Sequence, residues 1–329
     1  VIKRLLVANR GEIAVRILAT AAMLDVATVA VYPADDASCA HVAKADQAVR
    51  LPGTGAAAYL DIEAIITAAT TARCDAVHPG YGFLSESPVL AARCAQAGLV
   101  FVGPDAATLE LFGDKSAART QARAAGVPVL AGTPGGTTLE QARAFLRQHG
   151  AVMVKAVAGG GGRGLRPVTR EQDLAEAMRR CSSEAAAAFG NGAVYLEQLL
   201  PAARHVEVQV IGDGTGPATV LGDRDCSLQR RRQKLVEIAP APLEEYVRAR
   251  LWEAAVALLG TRYAGLATVE FLVRDNNVAF IEVNPRLQVE HTVTEQVTGL
   301  DLVELALRVA SGEKLDSLGL RAAAAGFAV

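Results

Sequence analysis

Over about the first hundred positions, apolar residues fall into two alternating kinds of run. RLLVA (4–8), TVAVYP (28–33), AVHPG (76–80) and LVFVGP (99–104) are short and continuous, which predicts buried strands. Between them, GEIAVRILATAAML (11–24), DIEAIITAATTAR (61–73) and PVLAARCAQAG (88–98) repeat their apolar residues at helical spacing. This alternation predicts right-handed βαβ units and a doubly wound parallel sheet, an α/β arrangement. A helix-rich connection is expected over 105–126. PVLAGTPGGTT (128–138), with two prolines and three glycines, then marks a hinge or boundary.

The second part reads differently. A helix (LEQARAFLRQHG, 139–150), a strand (AVMVKAV, 151–157), a glycine run, a second strand-like piece (LRPVT, 165–169) and a long Ala-rich helix precede AVYLEQLL (193–200). From residue 204 strands and hairpins dominate: HVEVQVIGD (205–213), ATVLGDRDCSLQ (218–229) and ATVEFLVRDNNVAFIEVN (267–284). Helices are expected at EEYVRARLWEAAVALLG (244–260) and DLVELALRVASG (301–312), so this part is α+β in character.

The hairpin at 267–284 concentrates unusual chemistry. A three-residue loop, Asp275 to Asn277, would set Arg274 against Val278 and Glu270 directly opposite Glu282. An even-length loop would shift that pairing by one. Like charges facing each other across strands are destabilising. Asn284 shares the face of Glu282, and Leu272 and Phe280 are expected to flank the group. Two carboxylates and an amide oxygen on one surface call for a cation. Magnesium suits them, because it binds through one or two carboxylates and completes its shell from water and phosphate.

Composition narrows the class. There are 33 basic and 35 acidic residues, so no global field draws in nucleic acid or membrane. No stretch approaches the roughly 18 apolar residues of a membrane span, and VIKRLLVANRGE lacks the parts of a signal peptide. The five cysteines (Cys39, Cys74, Cys94, Cys181, Cys226) are far apart with no CxxC pair. That favours reduced thiols in a cytoplasmic protein over zinc or disulfides.

Two further runs carry chemistry. Ala158 to Gly164 meets GxGxxG trivially at Gly159, Gly161 and Gly164, but a strand follows where a dinucleotide fingerprint needs a helix. What remains is a strand–glycine–strand hairpin with Lys155 before it, suited to a flap over phosphates. Residues 224–234 pack five cations without interleaved aromatics. That fits a local anion site better than nucleic acid. His205, Glu207 and Gln209 alternate on one strand face and can point together into a site.

In order, Lys115 in GDKSAAR, Lys155, GGGGRG, Glu197 in YLEQLL, RHVEVQV, RDCSLQRR, QKLVEIAPAP and NPRLQVEHTVTE follow one another as in the ATP-grasp superfamily. With ANRGEIAVRI and HPGYGFLSE, the chain resembles biotin carboxylase over essentially all 329 residues. The resemblance implies a Rossmann-like domain at 1–112 and an ATP-grasp domain at 113–329, with a glycine-rich lid at about 130–200. It implies that Lys115, Lys155 and the flap glycines Gly160, Gly161 and Gly162 hold ATP. Glu197 and Leu199 would border adenine with Leu272 beneath it, and His205 and Gln229 would sit near the ribose and the reacting centre. Glu270, Glu282 and Asn284 would hold magnesium, with manganese as its substitute. Lys234, Arg286, Gln288 and Val289 would hold bicarbonate, on the continuation of the second hairpin strand. Glu290 would be the base that deprotonates it, and a carboxylate beside Arg286 and Lys234 suits that role. Tyr81 and His205 would lie near biotin. Carboxyphosphate would form and break down to CO2 and a phosphate able to deprotonate biotin N1.

The resemblance also implies a biotin carboxyl carrier domain and a carboxyltransferase as partners, and a homodimer. HPGYGFLSE and NPRLQVEHTVTE favour this family over a carbamoyl phosphate synthetase half. The full set of site residues speaks against a non-catalytic nucleotide-binding module. Three departures stand out. Arg232 replaces a common histidine, and Gln198 replaces a common lysine. The chain also ends at GFAV, which reads like the start of a strand, before the RINAED-type strand and the C-terminal domain of the family. ATP binding and bicarbonate activation are expected within the chain, and the final transfer to biotin beyond it.

Overall fold

The computed structural model describes residues 1–157, 164–230, 233–320 and 324–329. The flap glycines Gly160, Gly161 and Gly162, and Arg232, lie outside the described residues. Strands β1 (Arg4–Val7), β2 (Ala27–Tyr32), β3 (Gln47–Arg50), β4 (Ala76–His78) and β5 (Val100–Phe101) form a parallel sheet in the order β3-β2-β1-β4-β5. The order reverses at β1, as a doubly wound sheet requires. Helices Gly11–Met23, Ile62–Thr71 and Pro88–Gln96 bury their apolar stripes against it. Strand β3, QAVR, has no apolar run and is recruited by pairing with β2, so periodicity does not show it.

Three antiparallel strands, β6 (Val152–Ala156), β7 (Leu165–Val168) and β8 (Val194–Gln198), follow in the order β7-β6-β8. Lys155 pairs with Leu165 at the mouth of the glycine run, as a strand–glycine–strand hairpin demands. Helices Leu139–His149 and Glu171–Phe189 close a small core around Leu146, Val154, Leu174 and Leu196. The first of these starts on a capping box, in which Thr138 and Gln141 satisfy each other's backbone N–H.

The largest sheet is antiparallel: β9 (Arg204–Asp213), β10 (Thr219–Arg230), β11 (Gln233–Ile238), β12 (Ala264–Arg274) and β13 (Asn277–Asn284), in the order β11-β10-β9-β12-β13. One face packs Val206, Val208, Val269 and Phe271 against helix Glu245–Leu259. The other turns His205, Glu207 and Gln209 away from that core, by strand alternation. Beyond them Ile211, Leu221 and Leu266 join Leu5, Ile17 and Leu302 in a cluster that fixes this sheet against the parallel one. The C-terminal residues begin a pairing with the sheet edge, where Ala239 and Ala328 exchange backbone hydrogen bonds of 3.0 and 2.9 Å. Among the described residues no helix is long and apolar enough to cross a membrane.

The β12–β13 hairpin corrects one expectation and keeps its consequence. Its loop is the two residues Asp275 and Asn276, both at positive φ (48° and 65°), so Arg274 faces Asn277 and not Val278. Turns of this left-handed kind match the twist of the flanking strands. The even loop shifts the register by one, and a bulge at Ile281 shifts it back, so Glu270 still pairs with Glu282. The bulge overturns the other expectation: Phe280 moves to the core face beside Phe271, and of the expected pair Leu272 alone stays out of that core, on the face of Glu270. Asn276→Gly is expected to hold or raise stability by up to about 1 kcal/mol, and Asn276→Val to lose about 1–2 kcal/mol. Urea denaturation followed through Trp252 measures both. Equal midpoints for the two variants would contradict the left-handed turn.

Candidate active site

The acidic face of the large sheet is a cross-strand row. Arg224 pairs with Glu207, Glu207 with Glu270, and Glu270 with Glu282, one residue from each of β10, β9, β12 and β13. Three glutamates side by side repel one another, and burial removes the water that would screen them. The row therefore requires cations, and the fold delivers them from every side.

Arg224 is fully buried at the end of the row. Its Nε donates to Glu207 Oε1 at 2.5 Å, and its other nitrogens reach Gln209, Thr294, Thr268 and Gln288 at 2.9, 2.8, 3.2 and 3.5 Å. Lys234, brought over by edge strand β11, donates to Glu207 Oε2 and Glu290 Oε1 at 2.5 Å each and to Glu270 Oε1 at 3.0 Å. Burial opposes its charge, but Glu270, Glu207 and Glu290 together hold its ammonium well above the usual lysine range. Burial likewise opposes the charge on Glu270, and Lys234 and His205 keep that carboxyl well below its ordinary value. His205 Nε2 lies 2.9 Å from Glu270 Oε2; burial works against its proton and Glu270 raises it. Gln229 Nε2 meets the other ring nitrogen, Nδ1, at 2.9 Å, so His205 and Gln229 are in contact. His205, Glu207 and Glu270 place ligand atoms within 4.8 Å of one another, as do Glu207, Cys226 and Glu290. The Lys234 ammonium already fills the point on which these carboxylates converge.

At the other end of the row, Lys115 donates to Glu282 Oε2 at 2.7 Å. Lys115 opens helix Lys115–Ala124, directly after the N-cap Asp114, and Glu282 raises its ammonium against the cost of burial. Asn284 gives its Nδ2 to Glu270 Oε1 at 2.9 Å, and its Oδ1 accepts from Arg286 at 3.0 Å. Gln288 is buried between Glu270 and Arg224.

The segment after β13 is not a continued strand. Residues 285–290 form a loop, and Glu290 is the N-cap of helix His291–Thr298. The turn points Glu290 inward to Lys234 and leaves Val289 63% exposed. Arg286 is held from the parallel-sheet side, with its Nε donating to Glu86 across 200 positions of sequence.

Lys155 and Glu197 form a second buried cluster. Both Lys155 and Arg119 pair with Glu197, and burial raises that carboxyl while the two cations bring it below its ordinary value. Leu199 follows β8 with its N–H on Ala151 at 3.0 Å. Tyr81 follows β4 of the parallel sheet. It lines a groove with Asn9, Arg10, Gly11 and Phe83 at the carboxyl ends of β1 and β4.

Sequence reasoning passed over Glu86, Arg119 and the central place of Arg224. Arg119 had a signal, since it falls with Ala118 and Ala122 on the buried stripe of its helix. Arg224 sits in a cation run that reads as a local anion site, with nothing to mark it as a buried partner of Glu207, and Glu86 closes the HPGYGFLSE motif with nothing to mark it as a partner of Arg286.

Comparison with known proteins gives this geometry a lineage. The biotin carboxylase N-terminal domain family matches residues 1–109, and the carbamoyl-phosphate synthase L chain ATP binding domain family matches residues 114–318. The chain is 47% identical over 320 residues to biotin carboxylase of Pseudomonas aeruginosa, covering 95% of this chain and 71% of that protein. It is 50% identical over 323 residues to pyruvate carboxylase of Bacillus subtilis, covering 96% of this chain but only 28% of the relative. The chain thus spans under a third of that curated relative. Among solved structures, the biotin carboxylase domain dimer of Hydrogenobacter thermophilus 2-oxoglutarate carboxylase, in complex with MgADP, ADP and bicarbonate, superposes with a TM-score of 0.90 at 41% identity. That match covers 95% of this chain and 70% of that one. With its parallel N-terminal sheet, its antiparallel sheets and these matches along its length, the chain belongs to the biotin carboxylase family of ATP-grasp ligases.

Proposed function

We propose that this chain activates bicarbonate with ATP for the carboxylation of biotin on a carrier protein. The observation that carries the reading is the glutamate row, with Lys115 at one end, Lys234 and Glu290 at its centre, and Arg286 joined to it through Asn284. Lys115 and Lys155 supply positive charge for the ATP phosphates. Glu197 and Leu199 border the adenine along β8 and its exit, and Leu272 lies beneath it. His205 and Gln229 meet the ribose side.

Glu270 and Glu282 fit magnesium by their chemistry, being hard carboxylate oxygens at opposed positions on adjacent strands. Asn284 stands beside them and, through its bond to Glu270, orients that carboxylate. When bound, the metal supplies charge stabilisation on the phosphoryl oxygens.

Lys234, Arg286, Gln288 and the backbone at Val289 hold bicarbonate, and Glu290 accepts its proton. The bicarbonate oxygen then forms a bond to the γ-phosphorus as the bond to the ADP oxygen breaks, giving carboxyphosphate. Its C–O bond cleaves to release CO2 and phosphate, and the phosphate takes the N1 proton of biotin, which adds to the CO2. Positioning and fixed charge provide most of the acceleration in such transfers. Tyr81, in its groove at the carboxyl ends of β1 and β4, faces the route of biotin.

A carrier domain and a carboxyltransferase complete the cycle, as in multi-domain relatives, and the working unit is a cytoplasmic homodimer. Within the chain, 1–112 and 113–329 form its two functional parts, with the lid at about 130–200.

Two outcomes follow. With magnesium present, bicarbonate should stimulate ATP hydrolysis by the purified chain, and Glu282→Gln should reduce the stimulated rate about 100-fold or more. ATP binding without bicarbonate stimulation, in the chain and in a longer protein containing it, would contradict the reading. Lys234→Met should abolish the stimulation while ADP affinity, measured by titration calorimetry, stays within about threefold. Equal loss of ADP binding would place Lys234 on the nucleotide instead.

A further inference from the structure

Arg119 has no place in the scheme above, yet it is 4% exposed and surrounded by a built environment. It lies on helix Lys115–Ala124, one turn from the phosphate-side Lys115. Its Nη1 pairs with Glu197 Oε1, and its Nη2 donates to the Leu130 carbonyl at 2.8 Å. The guanidinium carbon lies 5.9 Å from the centre of the Tyr195 ring, whose hydroxyl donates to the same Glu197 oxygen at 3.2 Å. The second oxygen of Glu197, Oε2, pairs with the Lys155 ammonium. Space for the arginine comes from Gly132, where a Cβ would stand 2.5 Å from Nη2. The hinge segment is shaped around this side chain.

The charge count in this cluster decides what Arg119 does. Glu197 with Lys155 alone would be a neutral buried pair. Its carboxylate would compete with the ATP phosphates for the ammonium, in a medium where such competition is strong. Arg119 takes one carboxylate oxygen and adds a second positive charge. The trio then carries one net positive charge, and Glu197 can aim Lys155 without neutralising it.

We infer that Arg119 is a positioning residue for nucleotide binding, sharing Glu197 so that Lys155 stays available to the phosphates of ATP. This rests on the proposed role of Lys155. The geometry supports it in one further respect: Arg119 ties the Leu130 carbonyl at the hinge to β8 on the three-stranded sheet. The direction of aim for Lys155 is thus fixed to the same element that borders the nucleotide.

The test is a set of variants read by ATP affinity (titration calorimetry without turnover), kcat and thermal midpoint. Arg119→Met is expected to weaken ATP binding about 10–30-fold, the worth of one charge-assisted contact, with kcat at saturating ATP changed less than about threefold. Arg119→Lys keeps the charge and should stay within about fivefold of the parent. Adding Glu197→Gln to Arg119→Met removes the competing carboxylate and should recover most of the affinity without recovering the thermal midpoint. If Arg119→Met fails to fold, the double variant still decides, because it leaves no unpaired carboxylate. Near-parental ATP affinity in it supports the inference, and affinity as weak as that of a Lys155→Met variant overturns it. Arg119→Met with a lower thermal midpoint and parental affinity would show a purely structural arginine and overturn it too. Should Lys155→Met itself leave ATP affinity unchanged, the reading of Lys155 falls first, and this inference with it.

Discussion

Glu207, Glu270 and Glu282 stand next to one another on three adjacent strands, and the rest of the site is an answer to that repulsion. Water cannot screen the first two, because both are buried. Each therefore needs a fixed cation, and the cations come from distant parts of the chain. Arg224 arrives from the neighbouring strand, Lys234 from the sheet edge, His205 from two positions along β9, and Lys115 from a helix start. Once the row is neutralised in this way, the cations are locked as firmly as the carboxylates. A site whose charges are held before substrate arrives does not have to reorganise when charge moves in the reaction.

The same constraint explains why the fold needs both of its larger sheets. The antiparallel sheet carries the glutamate row, but Arg286 is steadied by Glu86 from the loop after β4 of the parallel sheet. The apolar cluster of Leu5, Ile17, Leu266 and Leu302 sets the distance between the two, so its packing reaches the site through one ion pair. Local irregularities serve the same end. The bulge at Ile281 costs a regular ladder position, and it returns Glu282 to the row while sending Phe280 into the core. The helix cap at Glu290 turns the chain so that one carboxylate faces Lys234 and the next residue back, Val289, faces out.

Much of this was legible in the sequence, for reasons that differ by element. The strand–helix alternation at the start and the helix 245–259 announce themselves by periodicity, because one face of each is buried. The acidic hairpin was legible because like charges on opposed strands need a reason. The loop length was not, since Asp-Asn-Asn allows a two- or three-residue turn, and the compensating bulge has no signature of its own. Strand β11 was hidden inside the cation run 224–234. Its residues read as a local anion site, and the resemblance assigned Lys234 to bicarbonate, but only pairing with β10 shows how Lys234 is carried over the glutamate row. Arg224 was counted in the same run, and nothing local marks it as a buried partner of Glu207. Long-range partnerships such as Arg119 with Glu197 and Glu86 with Arg286 depend on how separate elements dock, which no local pattern encodes.

The central claim is that the charges gathered around Lys234 present bicarbonate to the γ-phosphorus of ATP. The most direct measurement follows an oxygen atom. With 18O-labelled bicarbonate, magnesium and ATP, phosphate released during bicarbonate-stimulated hydrolysis should carry one labelled oxygen per turnover, because the attacking oxygen stays on phosphorus when carboxyphosphate loses CO2. Lys234→Met should release only unlabelled phosphate. Unlabelled phosphate from the unmodified chain, with its new oxygen drawn from water, would show that bicarbonate never reaches the phosphorus and would contradict the account.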